Sequence, residues 1–106
     1  MRLFTIIHKK LYNMEIIQEK GTKEGAFLTT EGNRIIGEMT YIWPGNNHFI
    51  ITHTEVIDQY QGQGVGKKMV EKAVEFARES SCTIFPACPY AQYIFDRNPE
   101  YNDVRK

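Results

Sequence analysis

The stretch Gln61-Gly62-Gln63-Gly64-Val65-Gly66 lies where the sequence changes from a strand pattern to a helix pattern. Before it, residues 48–57 are rich in β-branched and aromatic side chains and predict a strand. After Gly64, apolar residues recur at helical spacing and charged residues cover the opposite face. Alternating glycines let a backbone approach a ligand closely, and a helix N-terminus offers free N–H groups to an anion. The stretch therefore predicts an anion-binding loop whose natural occupant is a phosphate.

The chain beyond this helix predicts a second strand and a second helix. Residues 82–88 have an extended pattern in which Pro86 indicates an edge or a bulge. Pro89 suits the first position of a helix that continues through Phe95. A strand, a helix and a further strand in this order predict two parallel strands joined by a right-handed crossover.

The chain before the loop predicts an antiparallel meander. Turn signals rich in Gly, Asn and Pro separate its segments at residues 21–25, 31–33 and 44–47. The predicted strands are residues 14–20, 26–30, 34–43 and 48–57. The predicted fold class is therefore α+β: an antiparallel β-meander, then a parallel β-α-β unit with the loop at its strand-to-helix junction, and a C-terminal helix.

Size and charge narrow the range of functions. A chain of 106 residues builds one domain. Its 13 basic and 13 acidic residues give a formal net charge of +0, so neither nucleic acid nor a membrane is an expected partner. The three histidines do not fall at metal-ligand spacings, so no metal is expected. We expect a monomer or a weak dimer.

The two cysteines and the start of the chain bear on its location. Cys82 and Cys88 lie six residues apart in a segment predicted to be extended, roughly 20 Å if straight, beyond disulfide reach. The apolar run Leu3-Phe4-Thr5-Ile6-Ile7 is too short for a signal-peptide core or a membrane span. We therefore expect free thiols in a cytoplasmic protein.

The two common nucleotide-binding motifs do not fit the glycine stretch. A P-loop needs glycine at position 61 and Ser or Thr at position 68, where the chain has Gln61 and Lys68. A dinucleotide fingerprint needs its third glycine at position 67, which is Lys67.

The stretch resembles motif A of the GNAT superfamily of N-acetyltransferases, in which Arg or Gln is followed after two residues by Gly, one residue, and Gly or Ala. Gln61, Gly64 and Gly66 satisfy this pattern between a strand and an amphipathic helix. The resemblance implies acetyl-CoA as cosubstrate, an amine acceptor, and pyrophosphate binding by the backbone N–H groups of residues 61–66. It also implies that the pantetheine arm follows the strand that ends at Val56, as an added strand would.

The resemblance covers residues 14 to about 103 but lacks the family's usual two helices between the first two strands. The chain therefore resembles a small, single-domain, minimal GNAT-like subfamily. We predict a minimal acetyltransferase domain over residues 14–106 and an N-terminal extension over residues 1–13. Because the missing helices usually shape the acceptor site, the resemblance does not name the acceptor.

Two lysines follow the glycines directly. Lys67 and Lys68 fall in the first turn of the predicted helix, where a cation is unfavourable unless it faces an anion. At least one of them is predicted to contact a coenzyme A phosphate. The other interpretation is an ordinary solvated helix face.

The strand before the loop offers candidates for a catalytic base. Alternation places His53 and Glu55 on one face, and Thr54 and Val56 on the other. If Val56 packs beneath the helix, His53 and Glu55 point to the open side. Either could deprotonate an amine, directly or through a water, and the alternative is a polar outer strand face.

The proton donor is where the chain departs from the larger family. Phe95 stands where a tyrosine is usual, and Cys88 replaces an asparagine. Cys88 precedes a helix N-terminus, which favours a thiolate, so it is predicted to act as nucleophile, as proton relay or as a packed wall residue. Tyr90 and Tyr93 are weaker candidates for the acid, and Cys82 is interpreted as structural.

Three functions follow from these patterns. The leading hypothesis is an acetyl-CoA-dependent N-acetyltransferase. The second is a non-catalytic acetyl-CoA or acyl-CoA binding module, because the tyrosine hydroxyl and the acceptor helices are missing. The third is an interaction module whose loop binds another phosphorylated ligand or an acidic side chain.

Overall fold

The computed structural model describes residues 14–45 and 47–106, so the predicted extension over residues 1–13 lies outside the described residues. The described residues form a five-stranded sheet with two α-helices and two short 3-10 turns. In chain order the elements are β1 (Met14–Lys20), β2 (Glu24–Glu31), β3 (Arg34–Gly45), β4 (His48–Val56), a 3-10 turn (Asp58–Tyr60), α1 (Val65–Glu79), β5 (Thr83–Pro86), α2 (Pro89–Arg97) and a 3-10 turn (Pro99–Tyr101).

The sheet topology confirms the predicted meander and β-α-β unit. The strand order is β1-β2-β3-β4-β5, with antiparallel pairing from β1 to β4. Strand β4 pairs with β5 in parallel, from His48 opposite Thr83 to Ile51 opposite Pro86. Helix α1 makes the connection between these two strands.

Three predicted strand limits are wrong by two residues. Strand β2 begins at Glu24 instead of residue 26, and β3 continues to Gly45 through the predicted turn. Strand β5 ends at Pro86, two residues before the predicted end. Beyond Pro86, the N–H groups of Ala87 and Cys88 both donate to the Ile51 carbonyl, so the chain turns away from β4 there.

Helix α1 covers one face of the sheet. A Cβ atom built on Gly37 would lie 3.0 Å from Val65 and 3.1 Å from Met69, so this position of β3 faces the helix closely. The apolar residues that α1 buries are Val65, Met69, Val70, Ala73, Val74 and Ala77. They pack in one core with Ile36, Met39, Tyr41, Phe49, Ile51, Ile84 and Phe95. Full burial of such large side chains stabilises the fold by about 1.5–3 kcal/mol each.

A bulge in β4 sets which side chains face the helix. Thr40 pairs with His53 whereas Tyr41 pairs with Ile51, so Thr52 is an extra residue in the strand. Buried Phe49 and Ile51 lie before the bulge on the core side. After the bulge the alternation is reversed, and Thr54 and Val56 take the core side because they pair with Met39 and Gly37.

Neither α1 nor α2 combines the length and the apolar character that a helix needs to cross a membrane.

Candidate functional site

A cavity of about 530 Å³ opens between the end of β4, the glycine loop and the first turns of both helices. Its walls combine backbone from the loop with aromatic side chains from either side. The lining residues are Thr54, Val56, Tyr60, Gln61, Gly62, Gly64, Val65, Gly66 and Tyr90. The structure therefore brings most of the predicted cofactor-binding residues to one concave site.

Two glycines give the loop its open shape. Gly62 and Gly64 both have a φ of 80°, in the left-handed region that favours glycine. A Cβ atom built on either would meet nothing within 4 Å, so the space in front of the loop is free for a ligand. Gly64 is also the N-cap of α1 and supplies no side-chain cap, which leaves the first N–H groups of the helix available to an anion.

The side chains of two glutamines form hydrogen bonds to the backbone that precedes the loop. The Gln61 amide donates to the Val56 carbonyl at 3.1 Å, and the Gln63 amide donates to the Gln59 carbonyl at 3.1 Å. Both side-chain amides therefore form hydrogen bonds to carbonyls of the protein's own backbone. The binding capacity of the loop lies in its main-chain N–H groups.

Gly66 is needed for contact with Tyr90. A Cβ atom at Gly66 would lie 2.5 Å from the Tyr90 hydroxyl, because the phenol lies against the first turn of α1. Burial raises the pKa of Tyr90, and none of the described residues forms a hydrogen bond with its hydroxyl. Sequence reasoning assigned Gly66 to the ligand alone and did not find this contact, because Tyr90 is distant along the chain.

Tyr60 forms the opposite wall. Its hydroxyl donates to the Glu31 carboxylate at the end of β2, and this hydrogen bond is the main cause of its raised pKa. The contact fixes the phenol beside the loop. Nothing in the local sequence indicated Tyr60, since its partner is 29 residues away.

Lys67 and Lys68 are exposed on the first turn of α1, and neither lines the cavity. A phosphate that reached them would have to extend from the cavity onto the helix surface. The lysines therefore lie outside the cavity, on the surface of α1.

His53 and Glu55 lie on the sheet face opposite α1. Their side chains are 61% and 72% exposed, and His53 Nε2 lies 3.8 Å from Glu55 Oε1. They line a second depression of about 480 Å³, which also includes Glu38 and Asp58. Residues Thr54, Val56 and Gln61 line both the depression and the cavity, so the end of β4 separates two adjoining sites.

Cys88 is buried at the start of α2, with 7% of its surface exposed. It is the N-cap of that helix, and its Sγ accepts a hydrogen bond from the Ala91 N–H at 3.4 Å. The same Sγ lies 3.4 Å from Thr54 Oγ1. Cys88 does not line the cavity, and Thr54 connects it to that space.

The surroundings of Cys82 are those of a structural residue. Cys82 is a buried free thiol whose pKa is raised by burial, and it donates to the Ser80 carbonyl. Cys88 is also a free thiol. Across residues 14–45 and 47–106, no group of three or more His, Cys, Asp or Glu side chains could hold a metal ion.

A family comparison agrees with this geometry. The sequence profile of the GCN5-related N-acetyl-transferase family matches residues 26–104, which include most of β2, all of β3 to β5, α1 and α2. The chain belongs to this N-acetyltransferase family.

Individual members of the family add detail. This acetyltransferase-family chain is 35% identical to a GCN5-like candidate N-acetyltransferase from Staphylococcus aureus, with a TM-score of 0.67 and 89% of each chain covered. It is 31% identical over 61 residues to Protein NATD1 of Bos taurus, which covers 58% of this chain. It spans about half the length, 54%, of that relative.

A more distant structure shares the acetyltransferase fold. It is a candidate streptothricin acetyltransferase from Bacillus anthracis, solved in complex with acetyl coenzyme A. The identity is 18% and the TM-score 0.51, over 68% of this chain and 58% of that one. Together with the structure of the Staphylococcus aureus protein, it confirms the fold of a small, single-domain GNAT protein.

Proposed function

We propose that this chain is an acetyl-CoA-dependent N-acetyltransferase that transfers an acetyl group to an amine. The observation that carries the proposal is the open loop at Gly62 and Gly64, which presents the N-terminus of α1 to the cavity. Such a loop suits a pyrophosphate, and the cavity extends from it along the end of β4 towards Thr54. The acetyl-CoA complex of the Bacillus anthracis protein supports this choice of ligand.

The cofactor then extends in two directions from the loop. Its pantetheine arm follows β4 past Val56 and brings the thioester near Thr54, while its phosphate-bearing end extends towards Lys67 and Lys68. Exposed lysines in the first turn of α1 can supply positive charge to a phosphate without being buried. Tyr60 and Tyr90 form the two side walls.

The acceptor amine approaches from the depression on the other side of β4. Glu38 and Glu55 are directly opposite each other in the β3–β4 ladder, an arrangement of like charges that destabilises a sheet. No described Lys or Arg pairs with either glutamate, so a cationic ammonium group would be attracted there. His53, beside Glu55, is placed to accept the proton of the amine.

A non-catalytic acetyl-CoA-binding module is the second candidate function. Phe95 is buried, with 1% exposed, and has no hydroxyl to protonate a departing thiolate. Cys88 is separated from the cavity by Thr54. Both observations favour a protein that binds the cofactor and does not turn it over.

The binding part of the proposal is tested by Gly64→Val, with Gly45→Val as the matched control. Both glycines have positive φ, 80° and 119°, and open space in front of them, so both substitutions strain the backbone. Only Gly64 lines the cavity. We expect calorimetric titration to show acetyl-CoA binding by the wild type and Gly45→Val, and none by folded Gly64→Val.

Binding of ATP or NAD with affinity equal to that of coenzyme A would contradict the cofactor assignment. Turnover is tested separately, by chromatographic detection of coenzyme A released from acetyl-CoA with spermidine or a lysine-containing peptide. Tight binding without release in the presence of any amine would favour the non-catalytic module.

A further inference from the structure

The contact between Cys88 and Thr54 is a partly buried hydrogen bond at the wall of the cavity. The two residues are 34 positions apart, and α2 and β4 bring their Sγ and Oγ1 atoms to 3.4 Å. Cys88 Sγ already accepts a hydrogen bond from the Ala91 N–H. Among the described residues, Thr54 Oγ1 is the side-chain oxygen in reach of the thiol proton. Either atom can be the donor in this hydrogen bond, and the proposal below uses the arrangement in which the thiol donates to Thr54.

This direction leaves the Thr54 hydroxyl proton free for another partner. Thr54 lines the cavity, whereas Cys88 does not, so the Thr54 hydroxyl is the one of the two groups that a bound molecule can reach. The reversed alternation after the Thr52 bulge is what turns Thr54 to this side of the sheet. One hydrogen bond thus connects a buried thiol to a hydroxyl that lines the cavity.

We propose that Thr54 is the group that carries the proton of Cys88 to the sulfur of coenzyme A as it departs. This inference rests on the proposed acetyltransferase function. It assigns a role to Thr54, and it assigns to Cys88 the part of a proton donor that acts through Thr54. In this arrangement the reaction needs no tyrosine hydroxyl at the position of Phe95.

The protons and electrons of the step balance. When the amine attacks the thioester carbonyl, the carbon–sulfur bond breaks and its electron pair goes to the coenzyme A sulfur. That sulfur takes the Thr54 hydroxyl proton while the Thr54 oxygen takes the Cys88 thiol proton. Cys88 becomes a thiolate, which the Ala91 N–H and the N-terminus of α2 stabilise. His53 takes the surplus proton of the amine, and solvent later returns a proton to Cys88.

The proposal is tested with Thr54→Val, Thr54→Ser, Cys88→Ala and the double variant Thr54→Val/Cys88→Ala. Thr52→Val is the control, since it removes a hydroxyl from the same strand that bonds to Thr40 outside the cavity. Coenzyme A release from acetyl-CoA is measured with spermidine and with water as acceptors. Coenzyme A affinity is measured by calorimetry.

We expect Thr54→Val to lower kcat about 100-fold, the usual scale of a general acid, with coenzyme A affinity unchanged. Thr54→Ser restores most of the rate because it restores the hydroxyl. The double variant is no slower than Cys88→Ala, because both single changes interrupt the same route.

Several results would overturn the proposal. Wild-type rates in Thr54→Val beside a slow Cys88→Ala would show that Cys88 acts without Thr54. An equally slow Thr54→Ser would indicate packing in place of proton transfer. An acetyl adduct on Cys88, seen by intact mass after incubation with acetyl-CoA, would make Cys88 a nucleophile. Binding without any release by the wild type would contradict the catalytic function itself, and with it this role of Thr54.

Discussion

At the scale of single residues, neighbouring glycines of one loop serve different purposes. Gly62 and Gly64 need their left-handed backbone and face open space. Gly66 is helical, and a Cβ atom there would lie 2.5 Å from the Tyr90 hydroxyl, so any larger residue would displace the phenol. A motif that reads as three equivalent glycines therefore combines a ligand surface with a packing contact.

Gly66→Ala tests the packing contact. The new methyl group would displace the Tyr90 phenol, which is 37% exposed, so the penalty should be no more than about 1 kcal/mol, the lower limit for overpacking a core. In a Tyr90→Ala background the clash is absent, and the higher helix propensity of Ala should make the same change neutral or stabilising. Urea denaturation of the four proteins in this cycle measures the difference. An equal penalty in both backgrounds would show that the Tyr90 contact is not its cause.

At the scale of elements, the bulge in β4 organises the site. Before Thr52 the odd-numbered residues Phe49 and Ile51 face the core, and after it the even-numbered residues Thr54 and Val56 do so. His53 and Glu55 are thereby released to the opposite face. If Thr52 paired as an ordinary strand residue, continuous alternation would put them on the same face as Phe49 and Ile51.

Deletion of Thr52 tests the role of the bulge. Because Thr52 is the extra residue, its deletion leaves Ile51 opposite Tyr41 and His53 opposite Thr40 in a regular ladder, and every neighbour keeps its face. We expect the deletion variant to keep a cooperative thermal transition. Thr52→Ala keeps the residue count and the bulge and should also melt close to the wild type. Circular dichroism checks both variants. Loss of the transition in the deletion variant would mean that the bulge does more than set the faces of its neighbours.

At the scale of the whole molecule, the C-terminal segment is tied to α1 and β5. Arg78 of α1 contacts both carboxylate oxygens of Asp103 at 2.9 Å and the Glu100 carbonyl at 2.9 Å. Ile84 of β5 exchanges backbone hydrogen bonds with the last residues, from its N–H to the Val104 carbonyl and from the Lys106 N–H to its carbonyl. These contacts close the edge of the sheet beyond β5.

The Arg78–Asp103 pair makes stability depend on pH. The hydrogen bond from the Arg78 guanidinium holds the pKa of Asp103 below its ordinary value, so the unfolded chain takes up the proton more readily. The contribution is present above the unfolded pKa of about 4 and is lost as pH falls through the folded pKa. The urea midpoint of Asp103→Asn should therefore lie below that of the wild type at about pH 7 and approach it at about pH 2.5.

Glu79→Gln is the control for this measurement, because no described residue forms an ion pair with Glu79. Its urea midpoint should differ little from that of the wild type at either pH. A difference between wild type and Asp103→Asn that is the same at both pH values would exclude the ion pair as its source.

The sequence by itself determined the fold class and the loop, because both depend on local rules. Helical spacing after Gly64, strand alternation before it and the turn residues of the meander are each read within a few neighbours. Only the tertiary structure decided the contacts of the site. The Thr52 bulge has no local signal, and the pairs Thr54–Cys88 and Gly66–Tyr90 join positions far apart in the chain. Residues so far apart in the chain come into contact only when the strands and helices pack together, so no local sequence pattern predicts these contacts.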